Sequence, residues 1–177
     1  MRSAAELRTA RLARSAALLA MASSLGLVES LWLPALPVPG MRLGLANLAV
    51  ILALVTLGPV EALGVSLGRV VVVGLATGTL LGPVTALSLA GACAAWVAMV
   101  LVRSRGPAFS VVGWSVAGSA ASVVAQLVAA ALMIATPAVL ALTPLVLALS
   151  LPSGLAIGLV ARLLVSRISR LSVSFVG

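Results

Sequence analysis

The sequence predicts an all-α, polytopic membrane protein: a bundle of six transmembrane helices with both termini in the cytoplasm. Three observations carry this. Of 177 residues, 63% are hydrophobic and 8% charged, with a mean hydropathy of +1.32; a soluble domain is about half apolar and about a quarter charged. Prolines and arginine clusters divide the chain into six apolar stretches, most of them near the roughly 20 residues that a helix needs to cross the hydrocarbon core. Finally, eleven arginines stand against three glutamates, a net charge of +8, and the six-span arrangement collects most of them on one side.

Taken in order, the first span covers residues 15–33 and ends at Pro34. Its basic leader, apolar run and Ala20-Met21-Ala22 also have the form of a signal peptide. A basic region of fourteen residues is long for that role, and small residues recur throughout the chain, so the segment is read as a span. A proline-rich link at 34–40 follows. The second span, 43–57, is short and closes at Gly58-Pro59. The third, 61–81, closes at Gly82-Pro83, and the fourth runs over 84–102. A polar break from Arg103 to Pro107 precedes the fifth, 109–134. Thr136-Pro137 separates it from the sixth, 139–165, which contains Pro144 and Pro152. The domain division is therefore a basic cytoplasmic segment at 1–14, a membrane domain at 15–165 and a cytoplasmic tail at 166–177.

With six spans, nine of the eleven arginines (2, 8, 11, 14, 103, 105, 162, 167 and 170) share one side, which the positive-inside rule makes cytoplasmic. Five or seven spans would separate these clusters. Arg42 is left on the opposite side, and Arg69 lies inside a span.

The residues that are missing bound the chemistry. There is no His, Asp, Lys or Tyr, and the single Cys93 sits in an apolar run. A Ser-His-Asp triad, a zinc site and an Asp-rich magnesium site are all out of reach. So are an internal disulfide and nucleic-acid binding. No P-loop motif is present, so ATP hydrolysis would have to come from a partner. The expectation is a protein that is no enzyme and carries no metal or cofactor, with membrane lipid around it.

Arg69 is the most informative residue. It lies eight residues into the third span, about 12 Å deep at 1.5 Å per residue, where a charge costs roughly 2.5–3.5 kcal/mol and faces a cavity or a partner. Glu61 is about 12 Å away along the same helix, too far for a direct bond. Two readings stand: an ion pair across helices, for which Glu29 is placed, or contact with an anionic group of a ligand. Asn47 and Gln126 are costly to bury unpaired, and are candidates for either a polar pocket or an interhelical hydrogen bond. Glycines at four-residue spacing, Gly64/Gly68, Gly74/Gly78/Gly82 and Gly154/Gly158, allow close helix packing or docking of a partner. Ala16 and Ala20 form a similar pair on the first span. In the link, Pro37 and Pro39 stiffen the chain, Gly40 permits a sharp turn, and Arg42 supplies a charge; this segment is read as a lid over the bundle mouth rather than a plain connector.

The run Pro37-Val38-Pro39-Gly40 followed by Arg42-Leu43-Gly44-Leu45-Ala46-Asn47 resembles the signature of a membrane family known as heptaprenyl diphosphate synthase component I, also called the Gx transporter family. Further features resemble it in order: Glu29, Gly58 to Glu61, Gly68-Arg69, Gly91, Gly118 leading to Gln126, and Pro152 with Gly154 and Gly158. Where the family pattern carries a His-Asn pair before the glutamine, this chain has Ser122-Val123. The six-span plan is similar to the substrate-binding S components of energy-coupling factor transporters. That similarity implies a bacterial cytoplasmic membrane, a pocket toward the outer face, small residues on the first helix docking a coupling transmembrane subunit, and separate ATPase subunits.

The expected function is thus solute binding from the outer face. Arg69 is the counter-charge; Glu29, Asn47 and Gln126 orient the solute; Pro37, Pro39, Gly40 and Arg42 form the lid; Ala16 and Ala20 dock the partner. The synthase name implies the alternative, a non-catalytic membrane subunit linked to prenyl diphosphate synthesis, because prenyl elongation needs carboxylates to hold magnesium and this chain lacks Asp. A scaffold without a ligand is a third reading.

Overall fold

A Gly-Pro pair sets the start of two helices. Pro59 and Pro83 each occupy the first helical position, after Gly58 and Gly82, where the missing N–H is one the helix would not have used. In the computed structural model, which describes residues 4–32, 44–106 and 109–174, the elements are α1 (Ala4–Trp32), α2 (Asn47–Thr56), α3 (Pro59–Ala76), α4 (Pro83–Ser104), α5 (Val111–Met133), a 3-10 turn (Pro137–Leu142) and α6 (Thr143–Ser174). The described residues are all-helical with six α-helices, and five of these, all but α2, are long and apolar enough to cross a membrane.

Several boundaries differ from the sequence reading, among them the end of α3, at Ala76 rather than residue 81. Helix α1 starts at Ala4 and runs unbroken through the basic leader and through Ala20-Met21-Ala22. Helix α6 starts only at Thr143, after the 3-10 turn, and continues to Ser174. The second span falls short: its helix has ten residues rather than fifteen. Gly44, at φ +78°, turns the chain, and the Asn47 and Leu48 amides bond back to the Gly44 and Leu45 carbonyls at 2.8 and 3.1 Å. An apolar run does not reveal such a turn.

The surface is inverted relative to a soluble protein. Leu31, Leu75, Leu81, Leu132 and Leu163 are among many large apolar side chains left exposed, whereas Glu29, Asn47, Arg69 and five serines are buried. Lipid is the solvent in which that distribution is stable. Helix α2 forms the middle of the bundle: Asn47, Ala49 and Val50 to Leu54 are buried, with Ala22 of α1, Val65 of α3, Met99 of α4 and Ile157 of α6 in the same apolar cluster.

Close packing depends on glycine. A Cβ on Gly158 would lie 2.8 Å from the Val112 Cα, and one on Gly154 would lie 2.7 Å from the Ser119 hydroxyl. These two positions on α6 let α5 approach, and Ser115 Oγ donates to the Gly154 carbonyl at 2.7 Å. Gly68 and Gly74 likewise meet neighbours, but Gly64 and Gly78 face open space. The glycine spacing therefore reflects internal packing at most of its positions.

Candidate functional site

Helices α2 and α3 share the Gly58-Pro59 turn, yet α2 is about 15 Å long and α3 about 27 Å. The first residue of α2, Asn47, therefore stops inside the bundle, short of the far end of α3. Polar side chains converge at that level. The Arg69 guanidinium, only 7% exposed, donates from Nη2 to Asn47 Oδ1 at 3.3 Å. Around them lie Gly44, Ser88 of α4, Ser119, Ser122, Val123 and Gln126 of α5, and Ser150 and Ser153 of α6. The cavity they leave is about 20 Å³, room for one or two waters. In this closed form a larger solute enters only if the walls separate.

Of the predicted residues, Arg69, Asn47 and Gln126 meet at this cavity. Glu29 is buried beside it in a different role. Its Oε1 accepts the Gly44 amide, and the Leu45 amide at 3.1 Å. A carboxylate from α1 thus sits on the N-terminal turn of α2, where the helix dipole favours negative charge. Its other oxygen, Oε2, has no hydrogen-bond partner among the described residues. Ala16 and Ala20 are exposed on α1. The lid residues Pro37, Pro39, Gly40 and Arg42 lie outside the described residues.

At the opposite end of α2, Arg103 donates from Nη1 to the Leu54 carbonyl and stands 5.8 Å from the centroid of the Trp114 ring. Trp96 Nε1 bonds the Pro59 carbonyl at 2.9 Å. Glu61 pairs with Arg11, which accounts for the glutamate that the sequence placed too far from Arg69. Arg11 and Arg103 both come to this end of α2, as the six-span charge distribution requires.

The serines of the cavity escaped the sequence reading, because a lone serine in a membrane helix usually bonds its own backbone. The signal was there in the spacing: Ser115, Ser119, Ser122 and Gln126 recur at steps of four, three and four residues, one face of α5. Ser122 and Val123, where the resemblance led to the expectation of a His-Asn pair, both line the cavity.

A family model described as heptaprenyl diphosphate synthase component I matches residues 18–164. No curated protein and no solved structure matches the chain.

Proposed function

The chain belongs to the heptaprenyl diphosphate synthase component I family, and from that premise we propose that it is a membrane-embedded binding component for a small, partly anionic solute, taken from the side opposite the arginine-rich end. The observation that supports this is Arg69: a guanidinium buried inside the bundle, held by Asn47 and facing a hydroxyl-lined cavity. A buried charge of that kind is retained where it meets a ligand or a partner. By the positive-inside rule the arginine-rich end is cytoplasmic, so the cavity opens outward in a bacterial cytoplasmic membrane. Energy for uptake comes from separate subunits: a coupling transmembrane protein docked on the exposed Ala16/Ala20 face of α1, and ATPases bound to it.

The family's description favours a second reading, a non-catalytic subunit working beside a soluble prenyl synthase. The glutamates fit a non-catalytic role: Glu61 is paired with Arg11, and Glu29 is held on the α2 backbone. Copurification separates the readings. Recovery of ATPase and coupling subunits with the tagged chain supports transport; recovery of a prenyl synthase instead supports the second. For the site, gently purified protein is expected to retain a small anion visible by native mass spectrometry, and Arg69→Gln to lose it while circular dichroism still shows the helical fold. Retention of the same anion by a folded Arg69→Gln variant would mean that the binding site lies elsewhere.

A further inference from the structure

The hydrogen-bonding state of the cavity walls narrows the solute class, and this step rests on the solute-site reading above. One side of the cavity has unused donors. Asn47 accepts from Arg69 through Oδ1, which leaves its amide Nδ2 as a donor. Ser122 Oγ accepts from Gln126 Nε2 at 2.9 Å, so its own proton has no acceptor among the described residues. Ser119 is 6% exposed, and its Oγ has no partner among them. Together with the Arg69 guanidinium, these groups suit an oxyanion.

The other side is the reverse. Ser88 donates to the Val84 carbonyl at 2.7 Å, Ser150 to Leu147 at 3.2 Å and Ser153 to Ser150 at 2.8 Å. Each hydroxyl proton is thereby committed to its own helix, and only oxygen lone pairs remain toward the cavity. Gln126 gives one amide proton to Ser122, keeps the other as a donor, and adds Oε1 as a further acceptor. No carboxylate is among the described residues that line the cavity; Glu29, beside it, is held by the Gly44 and Leu45 amides.

We infer that the site takes a small oxyanion, carboxylate or phosphate, that carries its own neutral hydrogen-bond donors such as hydroxyl groups, and that it rejects both a simple alkyl anion and an uncharged polyol. Arg69, Asn47, Ser119 and Ser122 take the anionic end; Ser88, Ser150, Ser153 and Gln126 take the hydroxyls. A long prenyl chain has nothing to offer this second set, because its tail would leave those acceptors buried without donors, which is costly.

The test is calorimetric titration of the full chain in lipid nanodiscs with glycerol 3-phosphate, propyl phosphate, lactate and glycerol. Glycerol 3-phosphate is expected to bind about tenfold or more tightly than propyl phosphate, which corresponds to about 1.4 kcal/mol, and glycerol not to bind. Comparison with lactate separates phosphate from carboxylate as the preferred oxyanion, and either result fits so long as the hydroxyl-bearing anion wins. A Ser150→Ala/Ser153→Ala variant is expected to narrow the glycerol 3-phosphate to propyl phosphate ratio. Equal binding of those two phosphates, or tight binding of glycerol, overturns the inference and leaves the solute site standing. Failure of all three anions to bind overturns the solute-site reading itself.

Discussion

The two ends of α2 solve one problem in different ways. This ten-residue helix is buried among its neighbours, so its terminal amides and carbonyls lack both water and full intrahelical partners. At the N-terminus a carboxylate, Glu29 of α1, takes the Gly44 and Leu45 amides. At the C-terminus a guanidinium, Arg103 of α4, takes the Leu54 carbonyl and lies beside Trp114. Each charge has the sign that the helix dipole favours. The difference lies in what surrounds them. Around Arg103 the charged and carbonyl groups are paired, Trp96 on Pro59 and Arg11 on Glu61, while the Trp114 indole Nε1 has no hydrogen-bond partner among the described residues. Around Glu29 lie a cavity and, without partners among the described residues, the Ser119 hydroxyl and the second Glu29 carboxylate oxygen. One end holds the fold, and the other keeps polar groups in reserve.

Substitutions at the two ends test that contrast. The largest effect is expected from Gly158→Ala, where the new Cβ meets the Val112 backbone. A backbone atom cannot rotate aside, so the cost is about 3 kcal/mol, read as a lowered unfolding temperature by tryptophan fluorescence in nanodiscs. Next comes Glu29→Ala, which leaves two backbone amides without an acceptor at a cost of about 2 kcal/mol. Glu29→Gln keeps an oxygen there, and should recover at least half of that loss. If Gln and Ala behave alike, Glu29 does not cap α2.

Smaller still is Gly91→Ala at the cavity end. Its Cβ would lie 2.5 Å from Gln126 Nε2 and 2.7 Å from Ser122 Oγ, but these are side-chain atoms beside an open space. They can turn away, so the expected cost is about 1 kcal/mol, with solute affinity falling more than stability does. A Gly91→Ala penalty equal to that of Gly158→Ala would erase the distinction between the two ends. Least of all is Arg11→Ala. With side chains 60% and 25% exposed, the Arg11–Glu61 pair contributes within about 0.5 kcal/mol, and thermal melts should barely move.

How far the sequence discloses this arrangement depends on the kind of signal. Pro59 and Pro83, each after a glycine, bring the spans read from 61 and 84 within two residues of the helix starts, because proline acts through the local backbone. The arginine clusters order the spans because orientation is a property of whole loops. Arg69, Asn47 and Gln126 stand out because polar groups are rare at membrane depth, and all three do line one cavity. The length of α2 was not legible: residues 43–57 are apolar throughout apart from Gly44, Asn47 and Thr56. What shortens the helix is Gly44 and a carboxylate fifteen residues back in the chain. Nor was the role of Glu29, since its partners are backbone amides with no sequence identity. The serines became visible only once three helices brought them together.

Pro152 gives α6 two mechanical halves. With no N–H it omits one turn-to-turn hydrogen bond inside the helix, and it falls between Ser150 and Ser153, both in the cavity wall. Beyond it in sequence, Gly154 and Gly158 lock α6 onto α5 with no slack. The segment before it, from Thr143, carries no glycine and packs on α5 through the buried Val146, set against Val123 and Leu127. The cavity wall therefore joins, across one missing backbone hydrogen bond, a segment held by glycine-to-backbone contact and one held by apolar side chains alone.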